Sequence, residues 1–326
     1  MTNQFDMAAG HGLRSTCKVA IVGAGYMSRE HIRAFQDMPE VEITGIHSRT
    51  RTRADALAKE FRLPNVCSSI SELFEKTAAD LVVVSVPELS VNEVCCACFE
   101  YSWTALIEKP AGYNVADAEA IESVARAKGR QAYVALNRRH YGSTRAVIAD
   151  LATQAGPRLI KVQDQEDAIA ALQAGQPKLV VENWMYANSI HVIDYFSLLG
   201  RGKVTEVTPV IRWDPRHPRY VAAKINFDSG DVGLYEAIWE GPGPWAVSVN
   251  TPEKRWEMRP LEKASYQLAG NRVLEPVADH VWDTRFKPGL RRQAELAVLA
   301  ASGQHTELPT LREALASMRL TQAIYA

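Results

Sequence analysis

No sign of charge prevails in this sequence: 37 lysines and arginines stand against 38 aspartates and glutamates, a formal net charge of -1. Without a surplus field of one sign there is nothing general to draw in nucleic acid or anionic lipid. Long apolar runs are missing too. Stretches such as Leu81 to Val84 fall far short of the roughly 20 residues that span a bilayer, and nothing near Met1 resembles a secretory signal. The expectation is a cytoplasmic protein with no membrane partner. Cysteine is scarce, and Cys17, Cys67, Cys95, Cys96 and Cys98 lack the paired spacing of a disulfide framework or a zinc site. No metal is expected, and the Cys95-Cys96-Ala97-Cys98 cluster reads as reduced thiols in a helix, with Val94, Cys98 and Phe99 on a buried face. Internal repeats and low-complexity tracts are absent as well.

What is present is alternation. A chain of 326 residues is too long for one comfortable core and suits two domains. Residues 1–16 carry no period and read as a disordered extension. Short apolar runs then alternate with helical patterns. Strand Lys18 to Val22 precedes a helix over Arg29 to Met38; Val41 to Ile46 precedes Arg53 to Phe61; Leu81 to Val86 precedes Asn92 to Tyr101. Thr104 to Ile107, a helix over Val115 to Lys128 and strand Ala132 to Leu136 complete the series. That rhythm predicts a doubly wound parallel sheet, a Rossmann α/β domain over residues 17–137.

Residues 138–326 read as an α+β domain for substrate binding and oligomerisation. Helices fall over Ser143 to Thr153 and Ser189 to Leu199, with a strand over Leu159 to Gln163. Longer strands follow over Val204 to Trp213, Arg219 to Phe227, Val232 to Trp239, Ala246 to Asn250 and Lys254 to Arg259. Asp-Ser-Gly and Gly-Pro-Gly-Pro turns separate several of them, so the sheet is expected to be large, open and mostly antiparallel. Helices over Gly289 to Ala301 and Leu311 to Tyr325 close the chain.

Gly23-Ala24-Gly25-Tyr26-Met27-Ser28 follows the first strand and opens a helix, the context that gives a glycine pattern weight. Gly23 allows the tight turn, Gly25 lets the backbone approach a pyrophosphate, and the amides at Tyr26 and Met27 face the phosphates. A nicotinamide dinucleotide is the expected cofactor. In NAD-binding domains an acid at the end of the second strand receives the ribose hydroxyls. Here that place reads Ile46-His47-Ser48-Arg49-Thr50, and no carboxylate comes before Asp55. Ser48 and Arg49 suit a 2'-phosphate, which favours NADP(H) and leaves NAD(H) possible.

Glu108-Lys109-Pro110 follows the strand Thr104 to Ile107, at the edge of the sheet where ligands of open α/β folds bind. Together with the glycine turn, His31, Pro87, His191 with Asp194, and the late segments Trp256 to Glu262 and Phe286 to Gln293, this motif resembles the Gfo/Idh/MocA family of NAD(P)-dependent oxidoreductases. The resemblance implies that Lys109 lies near the nicotinamide and the reacting hydroxyl, held by a proline whose peptide bond is often cis. It also implies that His191, on the first long helix of the second domain, is the other catalytic residue. Glu108 and Pro87 join the cofactor contacts by the same comparison. Many dehydrogenases of the family carry an aspartate four residues before that histidine. Here the residue is Ala187, and Asn188 is the candidate to contact substrate instead. The family's usual Asn and His after the fourth strand are replaced by Glu88 and Val91.

Asn137-Arg138-Arg139 follows the last Rossmann strand at the mouth of the cleft, so Asn137 and Arg138 are substrate candidates; either arginine can hold a sugar phosphate or lie solvated at the hinge. Trp184, Tyr186 and Trp213 can serve as platforms for a sugar ring, with core packing favoured for Trp213. The expected activity is NADP(H)-dependent interconversion of alcohol and ketone on a sugar, at C3 of a nucleotide-linked hexose. The alternatives are a cyclitol or free-sugar dehydrogenase, an NAD-retaining glycosidase, and a non-catalytic cofactor-sensing regulator. The resemblance also implies a homo-oligomer, dimer or tetramer.

Overall fold

The computed structural model describes residues 16–326, so all but Thr16 of the expected N-terminal extension lies outside the described residues. The first half alternates strand and helix: β1 Cys17–Val22, α1 Tyr26–Gln36, β2 Val41–His47, α2 Arg51–Phe61, β3 Val66–Cys67, α3 Ile70–Thr77, β4 Leu81–Val84, α4 Val91–Cys98, β5 Thr104–Glu108, α5 Val115–Ala127 and β6 Ala132–Ala135. The second comprises α6 Gly142–Leu151, β7 Leu159–Glu166, α7 Ala168–Gln173, α8 Lys178–Val181, α9 Ile190–Leu199, β8 Val204–Ile211, β9 Tyr220–Phe227, β10 Val232–Trp239, β11 Ala246–Asn250, β12 Lys254–Met258, β13 Ala264–Leu268, β14 Glu275–Pro276, α10 Val281–Arg285, α11 Leu290–Ala301 and α12 Leu311–Ile324.

The first sheet has the order β3-β2-β1-β4-β5-β6, and every neighbouring pair is parallel. Both of its faces are covered, which is why its strands are almost wholly apolar. On β1, Val19 and Ile21 meet Ile32 and Phe35 of α1, whereas Ala20 and Val22 share a core with Leu73 of α3, Cys95 and Cys98 of α4, and Ile121 of α5. The two sets alternate because successive strand side chains point to opposite faces. Burying each of these large side chains contributes roughly 1.5–3 kcal/mol. The cysteine cluster packs as the sequence indicates, with Cys95, Cys98 and Phe99 buried. Among the described residues, no His, Cys, Asp and Glu group suits a metal ion and no helix is long and apolar enough to cross a membrane.

The second sheet runs β14-β13-β12-β11-β7-β10-β9-β8, antiparallel throughout except for β7 beside β10. One face packs on α6, α9 and the end of α12 through Val147, Phe196 and Ile324. The other is open, and β9 alternates exposed or partly exposed residues with buried ones along its length. The last two long helices do not stay with this sheet. Leu290, Ala294 and Ala297 of α11 pack with Phe35 of α1, and Leu311 and Ala314 of α12 enter the core on the opposite face of the first sheet. Just before α12, the Pro309 carbonyl accepts the Val134 N–H, so the returning chain also covers the β6 edge. From there α12 runs on past Tyr186 and Ile190 into the second core.

Candidate active site

Parallel strands put all their carboxyl ends on one edge, and the strand order reverses between β1 and β4, the place where open α/β sheets bind ligands. At that point Gly23 adopts φ +118°, and a Cβ there would lie 1.9 Å from the Ser85 carbonyl oxygen. Only glycine fits. Gly25 is different: a Cβ there would meet no atom within 4 Å. The fold itself does not demand glycine at Gly25, whereas a phosphate group approaching bare backbone does. Gly25 N–H donates to the buried Ser28 hydroxyl at 3.3 Å, and α1 has no side-chain cap. Its first amides, at Tyr26 and Met27, thus remain available to an anion. Tyr26 is exposed, with the Lys287 ammonium 5.5 Å from its ring centre.

At the end of β2, His47 pairs its Nδ1 with the Cys67 carbonyl at 3.0 Å, and the Ser48 hydroxyl accepts the Thr50 N–H at 3.3 Å. Arg49 is exposed and forms no ion pair with any described residue, while Arg51 pairs with Asp55. Pro87 lies exposed after β4 at the start of a single turn, Glu88–Ser90.

Lys109 leaves β5 through a cis bond to Pro110. Beneath it, the Glu108 carboxylate takes His31 Nε2 at 2.7 Å and the Lys109 N–H at 3.2 Å. Glu108 is therefore engaged inside the fold. The Lys109 ammonium reaches across to the second half and donates to the Ala187 carbonyl at 2.7 Å. Ala187 belongs to one turn of π-helix, Met185–Ser189, that leads into α9. Such wide turns recur at functional sites because they offer carbonyls outside the regular helical pattern. A backbone oxygen thus meets the lysine at Ala187, where the resemblance leads to the expectation of an aspartate. Burial lowers the Lys109 pKa, with Arg138 adding to the fall and Glu108 opposing it.

Glu166 anchors this turn. Its Oε2 accepts Trp184 Nε1 at 2.7 Å and Asn188 Nδ2 at 2.8 Å, and its Oε1 accepts the Ser189 hydroxyl at 3.2 Å. Two residues back on the same strand face, Asp164 accepts the Tyr235 hydroxyl at 2.7 Å, and Tyr235 in turn meets the Tyr325 hydroxyl at 2.9 Å. Burial raises the pKa of both carboxyls, and the charge of Asp164 raises Glu166 further.

His191 is buried, and its Nδ1 has no hydrogen-bond partner. Burial first, then the charges of Arg138, Lys109 and Lys287, push its pKa well below the ordinary histidine range. These causes all favour the uncharged imidazole. Trp245 stands beside it, ring centres 6.1 Å apart, and the Arg138 guanidinium carbon lies 4.7 Å from the same indole. Arg139 diverges from Arg138. It makes a buried bidentate pair with Asp194 at 2.6 and 2.7 Å, and Asp194 also accepts the Ser317 hydroxyl at 2.7 Å. Asp194 is therefore committed to Arg139 and Ser317.

Lys109, His191, Arg138, Trp184 and Asn188 converge. Asn137 is used otherwise, buried with its amide donating to the Pro288 carbonyl at 3.0 Å. Tyr186 is core between α9 and α12. Trp213 packs on Trp239 at 4.5 Å and Tyr325 at 5.3 Å between ring centres, in keeping with the packing reading. The sequence reading missed Glu166, Asp164, Trp245 and Lys287. A signal for the first two was present: the strand read as ending at Gln163 continues to Glu166, and Asp164 and Glu166 fall on the buried face of Ile160 and Val162.

Residues 17–136 match a family described as the oxidoreductase family with NAD-binding Rossmann fold, Gfo/Idh/MocA. The chain is 25% identical over 238 residues to 4-carboxy-2-hydroxymuconate-6-semialdehyde dehydrogenase of Sphingobium sp. (strain NBRC 103272 / SYK-6), covering 70% of this chain and 73% of that one. It is 23% identical over 112 residues to the NADP(+)-dependent scyllo-inositol 2-dehydrogenase of Bacillus subtilis (strain 168), covering 34% of each. Among solved structures, UDP-N-acetylglucosamine 3-dehydrogenase of Acidithiobacillus ferrooxidans shares the fold, with a TM-score of 0.76, 15% identity, and 94% of this chain and 97% of that one covered.

Proposed function

We propose that the chain, whose residues 17–136 match the oxidoreductase family with NAD-binding Rossmann fold, Gfo/Idh/MocA, is a nicotinamide-dependent oxidoreductase that interconverts an alcohol and a ketone on a sugar, at C3 of a nucleotide-linked hexose, with NADP(H). One observation carries the reading: at the carboxyl edge of the first sheet, the Lys109 ammonium is held by the Ala187 carbonyl near the buried His191, whose uncharged form is favoured.

The cofactor would be held by the backbone at Gly23, Gly25, Tyr26 and Met27, with Pro87 lining its path and Ser48 and Arg49 at the adenosine ribose. The unpaired guanidinium of Arg49 and the lack of a carboxylate there support NADP(H) over NAD(H). When bound, the nicotinamide supplies the hydride acceptor for oxidation or the donor for reduction. Everything else falls to the protein. An ammonium has three donors, and with one given to Ala187 the remaining two can hold the substrate oxygen. As the carbon is oxidised, the hydroxyl proton passes to His191 through Nε2, the ring nitrogen that is not buried, and in reduction it returns. Lys109 stabilises the charge that develops on the oxygen. Asn188, held by Glu166 through its nitrogen, keeps its amide oxygen for a substrate hydroxyl, and Trp184 flanks the ring.

The outer face of the second sheet supports a homo-oligomer, dimer or tetramer, since β8 and the start of β9 expose Val204, Val210, Ile211 and Tyr220. Steady-state turnover with NADP+ or NADPH against UDP-N-acetylglucosamine, glucose and myo-inositol tests the substrate. The nucleotide sugar should have the highest kcat/KM. A higher value for the free polyol replaces this reading with a cyclitol dehydrogenase, and no turnover of any carbinol or ketone removes it.

A further inference from the structure

We propose that the substrate carries an oxyanion, a carboxylate or a phosphate, close to its reacting carbon, and that Arg138 binds it. The inference deepens the dehydrogenase reading of the site and rests on it. Two neighbouring arginines in one turn have opposite fates. Arg139 is consumed by its bidentate pair with Asp194. Arg138 pairs with no carboxylate among the described residues, and its buried Nε has no hydrogen-bond partner. Arginine keeps its charge in any protein environment, and a buried donor without an acceptor is costly. A fold retains such a group where an incoming acceptor satisfies it. Its guanidinium carbon lies 4.7 Å from the Trp245 ring centre, a cation–π contact that holds the head group, and a planar fork suits an oxyanion.

The surroundings have the same sign. Arg138, Lys109 and Lys287 all bear on His191. Of the acids that bear on Lys109, Glu108 is engaged with His31 and Glu166 with Trp184, Asn188 and Ser189, while Glu88 also offsets the lysine. Arg138 and His191 flank the same indole, so a group bound by Arg138 lies within a small molecule's length of the proton acceptor. A neutral polyol would leave the guanidinium unsatisfied.

The test is a tryptophan-fluorescence titration of the full chain with NADP+ present, using galactose, galacturonate and UDP-N-acetylglucosamine as probes. Galacturonate and galactose differ only in the carboxylate. At least one anionic probe should bind tenfold or more tightly than galactose, and added salt should weaken it. Galacturonate ahead of the nucleotide sugar identifies a carboxylate, and the reverse a phosphate. Arg138→Met keeps the stem on Trp245 and should raise the Kd of the anion roughly ten- to a hundredfold, while galactose is unaffected. Arg138→Lys, which keeps the charge but loses the fork, should fall between. A saturable response to neither anion, equal affinity for galactose, or an unchanged anion Kd in both variants overturns the inference; NADP+ protection in thermal melts shows that the variants fold. Anion binding without any turnover counts against the dehydrogenase reading alone. Turnover of an anionic substrate undiminished in Arg138→Met counts against this inference alone.

Discussion

Replacing Lys109 by methionine is the sharpest perturbation of the site, because it keeps the unbranched stem and deletes the ammonium. The structure sets the size of the effect. The lysine spends one donor on the Ala187 carbonyl at 2.7 Å and has two left for substrate. Losing a positioned acid or oxyanion donor costs roughly a hundred- to ten-thousandfold in kcat, or about 2.7–5.4 kcal/mol of transition-state stabilisation. Stability should move little. The Ala187 carbonyl loses its partner at a cost of about 1–3 kcal/mol, but the variant no longer holds an ammonium that burial disfavours. Because the phosphate-binding turn lies at β1 and not at β5, NADPH affinity should stay within about threefold. Turnover followed by nicotinamide absorbance, NADPH binding by fluorescence and a thermal melt on the same preparations decide it. A kcat within threefold of the parent would refute the catalytic role, and a matching loss of NADPH affinity would show that the lysine serves cofactor binding instead.

His191→Asn should also lower kcat, by less than Lys109→Met if water relays the proton, and an unchanged rate would remove it from the mechanism. Arg49→Ala should weaken NADPH about tenfold or more and leave NADH nearly unchanged, as expected for losing one charge-assisted bond; equal losses, measured by fluorescence titration, would point to NAD(H). Acid stability gives an independent check. Burial and the charges of Arg139, Arg292 and Arg145 push His140 down to about 3, so the folded protein refuses a proton that the unfolded chain takes up near pH 6.5. Stability is then unaffected above about pH 6.5 and falls by roughly 1.4 kcal/mol per unit below it, about 2 kcal/mol at pH 5, until the folded pKa is reached. Urea denaturation of His140→Gln between pH 7 and 5 should show a shallower slope than the parent, and an identical slope would exclude His140 as its source.

Much of this was legible in the sequence for a physical reason. Parallel strands buried on both faces are continuous apolar runs, so β1, β2, β4, β5 and β6 stood out, and Gly23 and Lys109 could be placed at their carboxyl ends. Two-residue β3 was too short to carry a period. The second half hid more. An acid usually marks the end of an apolar strand, which is why the reading stopped at Gln163, short of the two carboxyls that organise the site. Nothing local reveals the π turn Met185–Ser189, whose side chains are held by Glu166 and whose Ala187 carbonyl meets Lys109 from seventy-eight residues away. Arg138 and Arg139 are alike as letters, and only the position of Asp194 separates the one that is spent from the one that is not.

The return of α11 and α12 to the first sheet bears on how the cleft can move. A body tied to another at one point can swivel in any direction. Here the backbone crosses between the two sheets after Leu136, again before Leu290, and a third time along α12, which is packed at both ends. Three ties leave at most the single axis on which they lie, and a helix seated in both cores resists even that. Any opening of the cleft must therefore turn about that axis and work against the packing of α12 in both cores.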